Sequence, residues 1–200
     1  MAAPLLKLAA GIIALVALAI PAHAFGDECE NAWFSRNKIM ADAGYCFGSV
    51  LGRATFGNAN CTGKNVRLSA TQKSDVQALQ AMENNWACSV DNSRPSIESE
   101  LIKFLRPLDR QPVRDDFESA CIGWEEPTAS LFAGPDSSKV VGAIQPGNTI
   151  SYSHLPADNR AGTAFVFTVV TTDEFNPTIV SAGWAPVSLV ANPKCRSFAG

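Results

Sequence analysis

Two stretches of this sequence have residue types and spacing that could do chemistry. Ser35 and Lys38 fit the pattern S-x-x-K, in which the serine is a nucleophile, but the accompanying S-D-N and K-T-G motifs are absent from the sequence. We therefore interpret them as residues on the solvent-facing side of a helix. Residues 57–64, GNANCTGK, have some likeness to a phosphate-binding loop. Their glycines, however, are six residues apart instead of five, and Asn65 replaces the serine or threonine.

Three pairs of neighbouring acids are candidates for acid–base catalysis: Asp115-Asp116, Glu125-Glu126 and Asp173-Glu174. Hydrolysis of glycans needs two carboxylates that face each other across several ångströms. Side chains of sequence neighbours point in different directions on a helix and on a strand alike, so these pairs do not meet that requirement. We interpret them as solvated loop charges.

The sequence also lacks the spacing of a metal site. Its only histidines are His23 and His154, and no C-x-x-C occurs. A thiol nucleophile would need a free cysteine beside His154, whereas an even number of cysteines favours disulfides in an exported protein. We therefore expect no catalytic residue, no metal and no cofactor, and we expect that the protein is not an enzyme.

Aromatic residues remain as candidates for ligand contact. Trp33 and Trp86 fall on apolar helix stripes, so we expect them in the core. Tyr152 and His154 lie near the end of a predicted strand and could line an exposed binding face. The alternative is that both are ordinary strand-end residues with no ligand.

The first residues have the pattern of a secretory signal peptide. Lys7 precedes an apolar run from Leu8 to Ile20, and Ala22-His23-Ala24 has the form of a cleavage site. A membrane-spanning helix needs about 18 apolar residues, and this run is shorter. We expect cleavage after Ala24, no membrane span afterwards, and a periplasmic or secreted location.

The charge of the mature chain argues against nucleic acid as a partner. Removing Lys7 from the 16 basic residues leaves 15 against 19 acidic ones. Binding to phosphates needs clustered lysine and arginine, and no basic run of that kind occurs.

The first mature segment predicts a pair of packed helices. One runs from Asn31 to Ala43 and ends at Gly44, which can adopt the left-handed conformation that stops a helix. Arg36 lies between its apolar lines, and a buried guanidinium is costly unless acceptors surround it. Glu83 lies at the edge of the apolar stripe of a later helix. We expect Arg36 and Glu83 to pair when the two helices pack.

The same segment resembles the YARHG domain of exported bacterial proteins. The likeness rests on W-x-x-R-N-x-I-x-x-x-x-G-Y-C-F, formed by Trp33, Arg36, Asn37, Ile39, Gly44, Tyr45, Cys46 and Phe47. It continues through LGRATFGNANC and SATQKSDVQALQAMENNWAC. The sequence departs at the name-giving motif, where MADAG (40–44) keeps only the alanine and the glycine. The resemblance implies an extracytoplasmic, non-catalytic domain over about residues 29–88.

The last third of the chain predicts short strands separated by turns. Candidate strands lie at 130–132, 140–144, 149–153, 164–172, 179–183 and 189–190. SLFAGPDSSKVVGAIQPGNTI (130–150) resembles the opening of a bacterial SH3-like domain. Gly183-Trp184-Ala185-Pro186-Val187 resembles its final Gly-Trp element. The resemblance implies a β-barrel.

The predicted fold class is α+β, with a small disulfide-braced helical domain followed by an SH3-like β-barrel domain. We expect a signal peptide at 1–24, a YARHG-like helical domain at 25–92, a helical connector at 93–126 and an SH3-like domain at 127–200. Six cysteines allow 15 pairings. Sequence order and this two-domain organisation favour Cys46 with Cys61, Cys29 with Cys88, and Cys121 with Cys195.

The resemblances imply a non-catalytic binding protein of the bacterial envelope, with a cell-wall component or another envelope protein as its partner. An inhibitor or accessory subunit of an exported enzyme is an alternative, and an envelope hydrolase is another. The sequence offers no constellation of residues for the hydrolase.

Overall fold

The structure is a computed structural model that describes residues 26–172 and 177–200. The expected signal peptide, its cleavage site at Ala24 and the acidic pair Asp173-Glu174 lie outside the described residues. Within these two ranges, no helix combines the length and the apolar character that crossing a membrane requires.

Four helices make up the N-terminal part: α1 (Gly26–Asp42), α2 (Val50–Phe56), α3 (Ala70–Asn85) and the short α4 (Ile102–Leu105). Gly44 follows α1 with a φ of +91°. A Cβ atom at this position would lie 2.7 Å from Oγ1 of Thr62, so glycine is needed for the close approach as well as for the turn. The Ser69 side chain caps α3 by accepting from the Gln72 N–H.

The C-terminal part is an open antiparallel sheet. Its strands are β1 (Arg114–Trp124), β2 (Ala129–Phe132), β3 (Val140–Ile144), β4 (Thr149–His154), β5 (Ala157–Asp158), β6 (Ala164–Thr171), β7 (Ile179–Pro186) and β8 (Cys195–Ala199). Their order is β3-β2-β7-β6-β4-β1-β8, with β5 paired to β6. The mixed helical and sheet composition is as predicted. The path from β3 to β8 leaves the sheet open, so the structure does not show the closed barrel that we expected.

Three local predictions differ from the structure. The expected connector at 93–126 contains only the four residues of α4 as a helix and continues into β1, the longest strand. β8 was not predicted, and the expected strand at 189–190 lies in a short helix, α5 (Val187–Val190). The sequence of β1 is charged and shows no regular alternation of apolar and polar residues. In the structure, the register of β1 with β4 shifts between Arg114 and Ser119, and such a shift interrupts the alternation.

The helices and the sheet share one hydrophobic cluster, which we call the shared core. It contains Trp33, Phe34, Leu51, Leu101, Ile102, Leu105, Leu108, Ala157, Phe165, Phe167, Ala182 and Trp184. Alternation along β6 explains this arrangement, because Phe165 and Phe167 point into the shared core while Val166 and Val170 point to the opposite face. A second cluster on that face includes Trp124, Leu131 and Ile150. The helical and β parts are therefore joined by buried apolar contacts as well as by the chain.

The three disulfides join Cys29 to Cys88, Cys46 to Cys61, and Cys121 to Cys195. These are the pairs that sequence order favours. The first ties α1 to the end of α3, the second closes the loop after α1, and the third links β1 to β8. The first two bridges lie in the helical part and the third lies in the sheet, so none of them links the helices to the sheet. The shared core and polar contacts hold these two parts together.

We predict that Phe34→Ala destabilises both parts at once. Phe34 is fully buried in the shared core, and loss of such a side chain costs about 3–5 kcal/mol of unfolding free energy. Hydrogen exchange should therefore accelerate in β6 and β7 as well as in α1. The control is Phe198→Ala, because Phe198 is 64 % exposed. Acceleration confined to the helices would contradict a shared core.

Candidate binding cleft between the helices and the sheet

A bidentate ion pair fixes the spacing of α1 and α3. Nε of Arg36 donates to Oε2 of Glu83 at 2.7 Å, and Nη2 donates to Oε1 at 3.1 Å. Both side chains are mostly buried, and paired N–H groups match the geometry of a carboxylate. The structure thus joins the two residues that the sequence led us to pair, although neither lines the cleft described below.

Glu30 fastens the N-terminal half of α1 to the chain before α4. Its carboxylate accepts from Arg94 and from the backbone N–H groups of Glu98 and Ser99, both at 2.9 Å. Burial opposes the charge of Glu30, but the Arg94 hydrogen bond and the two backbone donors outweigh burial and hold the pKa of this carboxyl below its usual value. The folded structure therefore favours the ionised form of Glu30.

A second junction between helices and sheet is built around Arg114. Its guanidinium donates to Glu28 in α1 at 3.1 Å and to Ser153 in β4 at 2.8 Å. Beside it lies a small cavity of about 10 Å³, lined by Arg114 and His154 among others. A volume of this size holds about one water molecule. The junction is therefore a packed interface with no room for a ligand.

Between the helices and the loops of the sheet lies a much larger cleft, of about 850 Å³. The end of α1, the first half of α3, the segment after α4, the β2–β3 turn and the β5–β6 turn contribute to it. Its lining is Ile39, Asp42, Ser69, Thr71, Gln72, Asp75, Asp109, Arg110, Gln111, Gly134, Pro135, Asp136, Ser137, Ser138, Asp158, Asn159 and Arg160. Nearly all of these side chains are polar, and among the described residues no aromatic ring lines the cleft.

Hydrogen bonds connect the segments that line the cleft to one another and, through Trp184, to the shared core. The Trp184 ring N–H donates to the carbonyl of Arg110 at 2.9 Å, which places the segment after α4 against β7. Nη2 of Arg110 reaches Oδ1 of Asp75 in α3 at 3.2 Å. The Ser137 hydroxyl of the β2–β3 turn donates to Asp109, the neighbour of Arg110, at 2.5 Å. The cleft is therefore held in shape by groups that connect the two parts.

One residue that lines the cleft, Gln111, contains a buried acceptor atom without a hydrogen-bond partner among the described residues. Gln111 is only 3 % exposed, and its Nε2 donates to the carbonyl of Leu105 at 3.0 Å. This bond fixes the orientation of the amide, and the described residues offer no hydrogen-bond partner to Oε1. A buried polar atom without a partner costs about 1–3 kcal/mol, so such atoms call for a specific explanation.

The structure does not bring the aromatic site candidates together. Tyr152 packs against the cluster that contains Ile150, and burial raises the pKa of its hydroxyl to about 12. His154 packs edge-on against Phe167, with 4.9 Å between the ring centroids, in the direction of the helices. The two side chains therefore contact different clusters, and neither lines the cleft.

The expectation that Ser35 faces solvent is wrong, because Ser35 is only 2 % exposed. Helix α1 is covered on several sides at once, and Ser35 lines the small cavity beside Arg114. Lys38 instead bonds Asp42, one turn further along α1. Across residues 26–172 and 177–200, no group of three or more histidine, cysteine, aspartate or glutamate side chains could hold a metal ion.

Comparison with protein families finds a matching family model for each of the two parts of the chain. The model of the YARHG domain matches residues 12–84, in agreement with the resemblance of the helical part. A model described as "Domain of unknown function (DUF4453)" matches residues 87–200, more than half of the chain. The protein belongs to the DUF4453 family. No curated protein and no solved structure matches the chain.

The DUF4453 match includes α4 and the whole sheet. It begins at residue 87, next to Cys88, which is bridged to Cys29 in the YARHG part. The cleft is lined by residues on both sides of that boundary, from Ile39 in the YARHG part to Arg160 in the DUF4453 part. Asp42, which stands where the YARHG motif has its arginine, lies at the cleft. Both matched families therefore contribute walls to one site.

We predict that His154 makes the protein less stable as the pH falls from 7 to 5. Burial, aided by the nearby Arg114 charge, lowers the pKa of His154 from 6.5 to about 3. Below pH 6.5 the unfolded state binds a proton at His154 and the folded state does not. The free energy of unfolding that this histidine contributes above pH 6.5 is therefore lost as the pH falls below it. The expected loss by pH 5 is about 1–2 kcal/mol of unfolding free energy.

Denaturant titrations at pH 7, 6 and 5 measure this slope, and His154→Gln supplies the comparison. The variant should show a flatter profile than the wild type over this range. Identical slopes for the two proteins would show that His154 is not buried as a neutral group.

Proposed function

We propose that the mature protein is an exported, non-catalytic binding protein of the bacterial envelope, and that it holds its ligand in the cleft between the YARHG and DUF4453 parts. The observation that supports this proposal is the cleft itself, about 850 Å³ in volume and lined by polar residues from both parts. Ligand sites are concave and often lie between domains. A volume of this size accommodates a short peptide or a small saccharide.

The arrangement of the polar groups favours binding over catalysis. Four of the five aspartates at the cleft already have partners: Asp42 with Lys38, Asp75 with Arg110, Asp109 with Ser137, and Asp136 with the backbone N–H of Arg160. His154, the histidine of the mature chain, lines the small cavity at the other junction. A hydrolase would need an acid or base free to move a proton at the substrate.

The proposed location is the periplasm or the extracellular space. The signal-like first 24 residues support it, and so do the three disulfides, which persist in oxidising compartments. The proposed partner is a cell-wall component or another envelope protein. For strands β2 to β7 we propose a relationship to SH3-like domains, supported by residues 130–150 and by the Gly183-Trp184 element.

A second candidate function is that of an inhibitor or accessory subunit of an exported enzyme. It is favoured by two exposed aromatic side chains on neighbouring strands, Phe117 in β1 and Phe198 in β8. Exposed aromatic residues are enriched in protein–protein interfaces. In this case, Phe117→Ala and Phe198→Ala would abolish binding of a partner, while substitutions in the cleft would not.

We predict that Ser138→Trp prevents envelope binding. Ser138 is an exposed residue of the β2–β3 turn at the cleft, and an indole there fills space that a ligand needs. The matched control is Ser96→Trp, because Ser96 is also exposed but lies outside the cleft. The measurement is co-sedimentation with purified peptidoglycan, together with capture of partners from envelope extracts of the source bacterium.

The proposal expects the wild type and Ser96→Trp to be retained, and Ser138→Trp to lose about tenfold in affinity or more, which corresponds to about 1.4 kcal/mol. Equal retention of both tryptophan variants would place binding elsewhere on the surface. If neither peptidoglycan nor any extract component is retained by the wild type, the proposed function is wrong.

A further inference from the structure

We propose that a second pocket of the molecule, which we call the loop pocket, binds the carboxylate group at the C-terminal end of a peptide. The loop pocket measures about 320 Å³ and is formed by the end of α1, the end of α2, the loop at 57–61 and Arg106. It shares one lining residue, Asp42, with the cleft. The loop pocket is therefore a separate site, beyond the function proposed for the cleft.

Arg106 supplies a fixed positive charge to the loop pocket. Its Nη1 donates to the carbonyl of Thr55, near the end of α2, at 3.0 Å, and its Cζ lies 5.3 Å from the centroid of the Phe34 ring. These two contacts hold the guanidinium in place, and neither of them comes from a charged side chain. Since a guanidinium has five N–H donors, most of its donors are left over from these contacts.

Arg106 differs in its pairing from the arginines that line the cleft and the small junction cavity. Among residues 26–172 and 177–200, no carboxylate forms an ion pair with Arg106. The other arginines each have one: Arg110 pairs with Asp75, Arg114 with Glu28, and Arg160 with Asp136. A guanidinium that is held in a pocket without a counter-ion predicts an anionic ligand, because its paired N–H groups match a carboxylate or a phosphate.

The loop at 57–61 adds backbone donors to the loop pocket. Its last four residues form a turn, in which the N–H of Cys61 donates to the carbonyl of Asn58 at 3.4 Å. The two central residues of this turn, Ala59 and Asn60, line the pocket, and their N–H groups have no acceptor within the described part of the chain. Successive N–H groups of a turn form concave sites for anions. These donors favour an anion independently of Arg106.

Contacts within the helical part hold this loop in place. Cys61 is bridged to Cys46. The Asn58 amide bonds both backbone groups of Phe47, accepting from the N–H and donating to the carbonyl, at 2.9 Å in each case. Binding costs less conformational entropy when the donors are already in position, so the loop is suited to hold a small group such as a carboxylate.

A single negative charge suits the loop pocket better than a double one. Lys38 donates to both oxygens of Asp42, so these two charges in the lining compensate each other. Arg106 is the remaining charged side chain of the lining and leaves one net positive charge. A carboxylate carries one negative charge, whereas a phosphate group carries about −1.5 to −2 at neutral pH. The pocket therefore favours a carboxylate.

The loop pocket also has an aromatic wall, which favours the end of a peptide over an acidic side chain. Tyr45 and Phe56 line the pocket, and both rings pack on Phe47, with centroids 5.1 and 5.0 Å apart. The last residue of a peptide carries its carboxylate and its side chain on the same Cα atom. An apolar side chain there can contact the rings while the carboxylate contacts Arg106. Ligand pockets measure about 300–1,000 Å³, so the loop pocket suits only a short terminal segment.

The test uses the mature protein and three pentapeptides with a fluorescent label at the N-terminus. The first ends in leucine with a free carboxylate, and the second is the same peptide with a C-terminal amide. The third is the amide with glutamate in place of the leucine, which moves the carboxylate to a side chain. We expect the free-acid peptide to bind about tenfold more tightly than either amide, measured by fluorescence anisotropy at low salt.

Two arginine variants locate the effect. Arg106→Gln removes the net charge of the loop pocket. Arg53→Gln is the matched control, because Arg53 is also exposed and also donates to a backbone carbonyl, that of Gly48, but lies outside the pocket. Arg106→Gln should weaken binding of the free-acid peptide about tenfold and leave the amide peptides unchanged, whereas Arg53→Gln should alter none of them. Melting curves verify that both variants fold, and the comparison of the peptides on the wild type needs no variant.

Equal affinity of the wild type for the free-acid peptide and for either amide would overturn the inference. No saturable binding of the free-acid peptide up to ~1 mM would do the same, and so would equal binding of that peptide by the wild type and Arg106→Gln. An equal loss in Arg106→Gln and Arg53→Gln would show that the attraction comes from the overall charge of the protein, which also contradicts a site in the loop pocket.

Ser138→Trp separates the loop pocket from the cleft. Ser138 lines the cleft and not the loop pocket, so this variant should bind the free-acid peptide as the wild type does. Loss of peptide binding in Ser138→Trp would place the peptide in the cleft and overturn the inference. Because the function proposed for the cleft is measured with peptidoglycan and envelope extracts, either proposal can fail without the other.

Discussion

Burial of one continuous apolar cluster between the helices and the sheet determines the rest of this structure. Trp33 and Phe34 of α1 belong to the same cluster as Phe167 and Trp184 of the sheet. Each part therefore completes the core of the other, which small domains need because their own cores are limited. The walls of the cleft come from both sides of this cluster, so their separation is set by the packing beneath them.

Trp184 connects the shared core to the cleft most directly. It is almost fully buried, pairs with Phe167 across β6 and β7, and donates its ring N–H to the carbonyl of Arg110. The preceding Gly183 permits this close packing, since a Cβ atom there would lie 2.9 Å from the Cβ of Leu131. The Gly-Trp element thus has two structural roles in this chain. Gly183 lets β7 pack closely against β2, and Trp184 positions the segment around Arg110 that lines the cleft.

The sequence predicts what short-range patterns control. Helical periodicity locates α1, glycine at 44 locates its end, and a costly buried guanidinium at 36 points to a carboxylate on a packed helix. Alternating residues and turn signals locate β2, β3, β4, β6 and β7. Cysteine order leads to the three pairs that the structure joins. In each case the signal lies within a few neighbouring residues or in one strong chemical requirement.

The remainder depends on contacts between distant segments. Strand β1 has a charged sequence with a register shift, and β8 lies at the edge of the sheet with mostly exposed side chains, so neither shows a clear alternating pattern. The candidate cleft was missed because its residues, such as Asp42, Gln111 and Asp158, come from five separate places in the chain. No local motif could have found it, although the excess of acidic over basic residues in the sequence, 19 against 16, is consistent with its charge.

The most direct test of this account is calorimetry of residues 87–200, with Cys88→Ser, beside the whole mature protein. The fragment keeps the sheet but loses Trp33, Phe34 and Leu51 from the shared core. We predict a single cooperative transition for the mature protein, and for the fragment a broad transition at least about 10 °C lower, since loss of several core side chains costs several kcal/mol. A fragment that melts as sharply and at the same temperature as the whole protein would contradict the shared core, and with it the cleft as a fixed binding site.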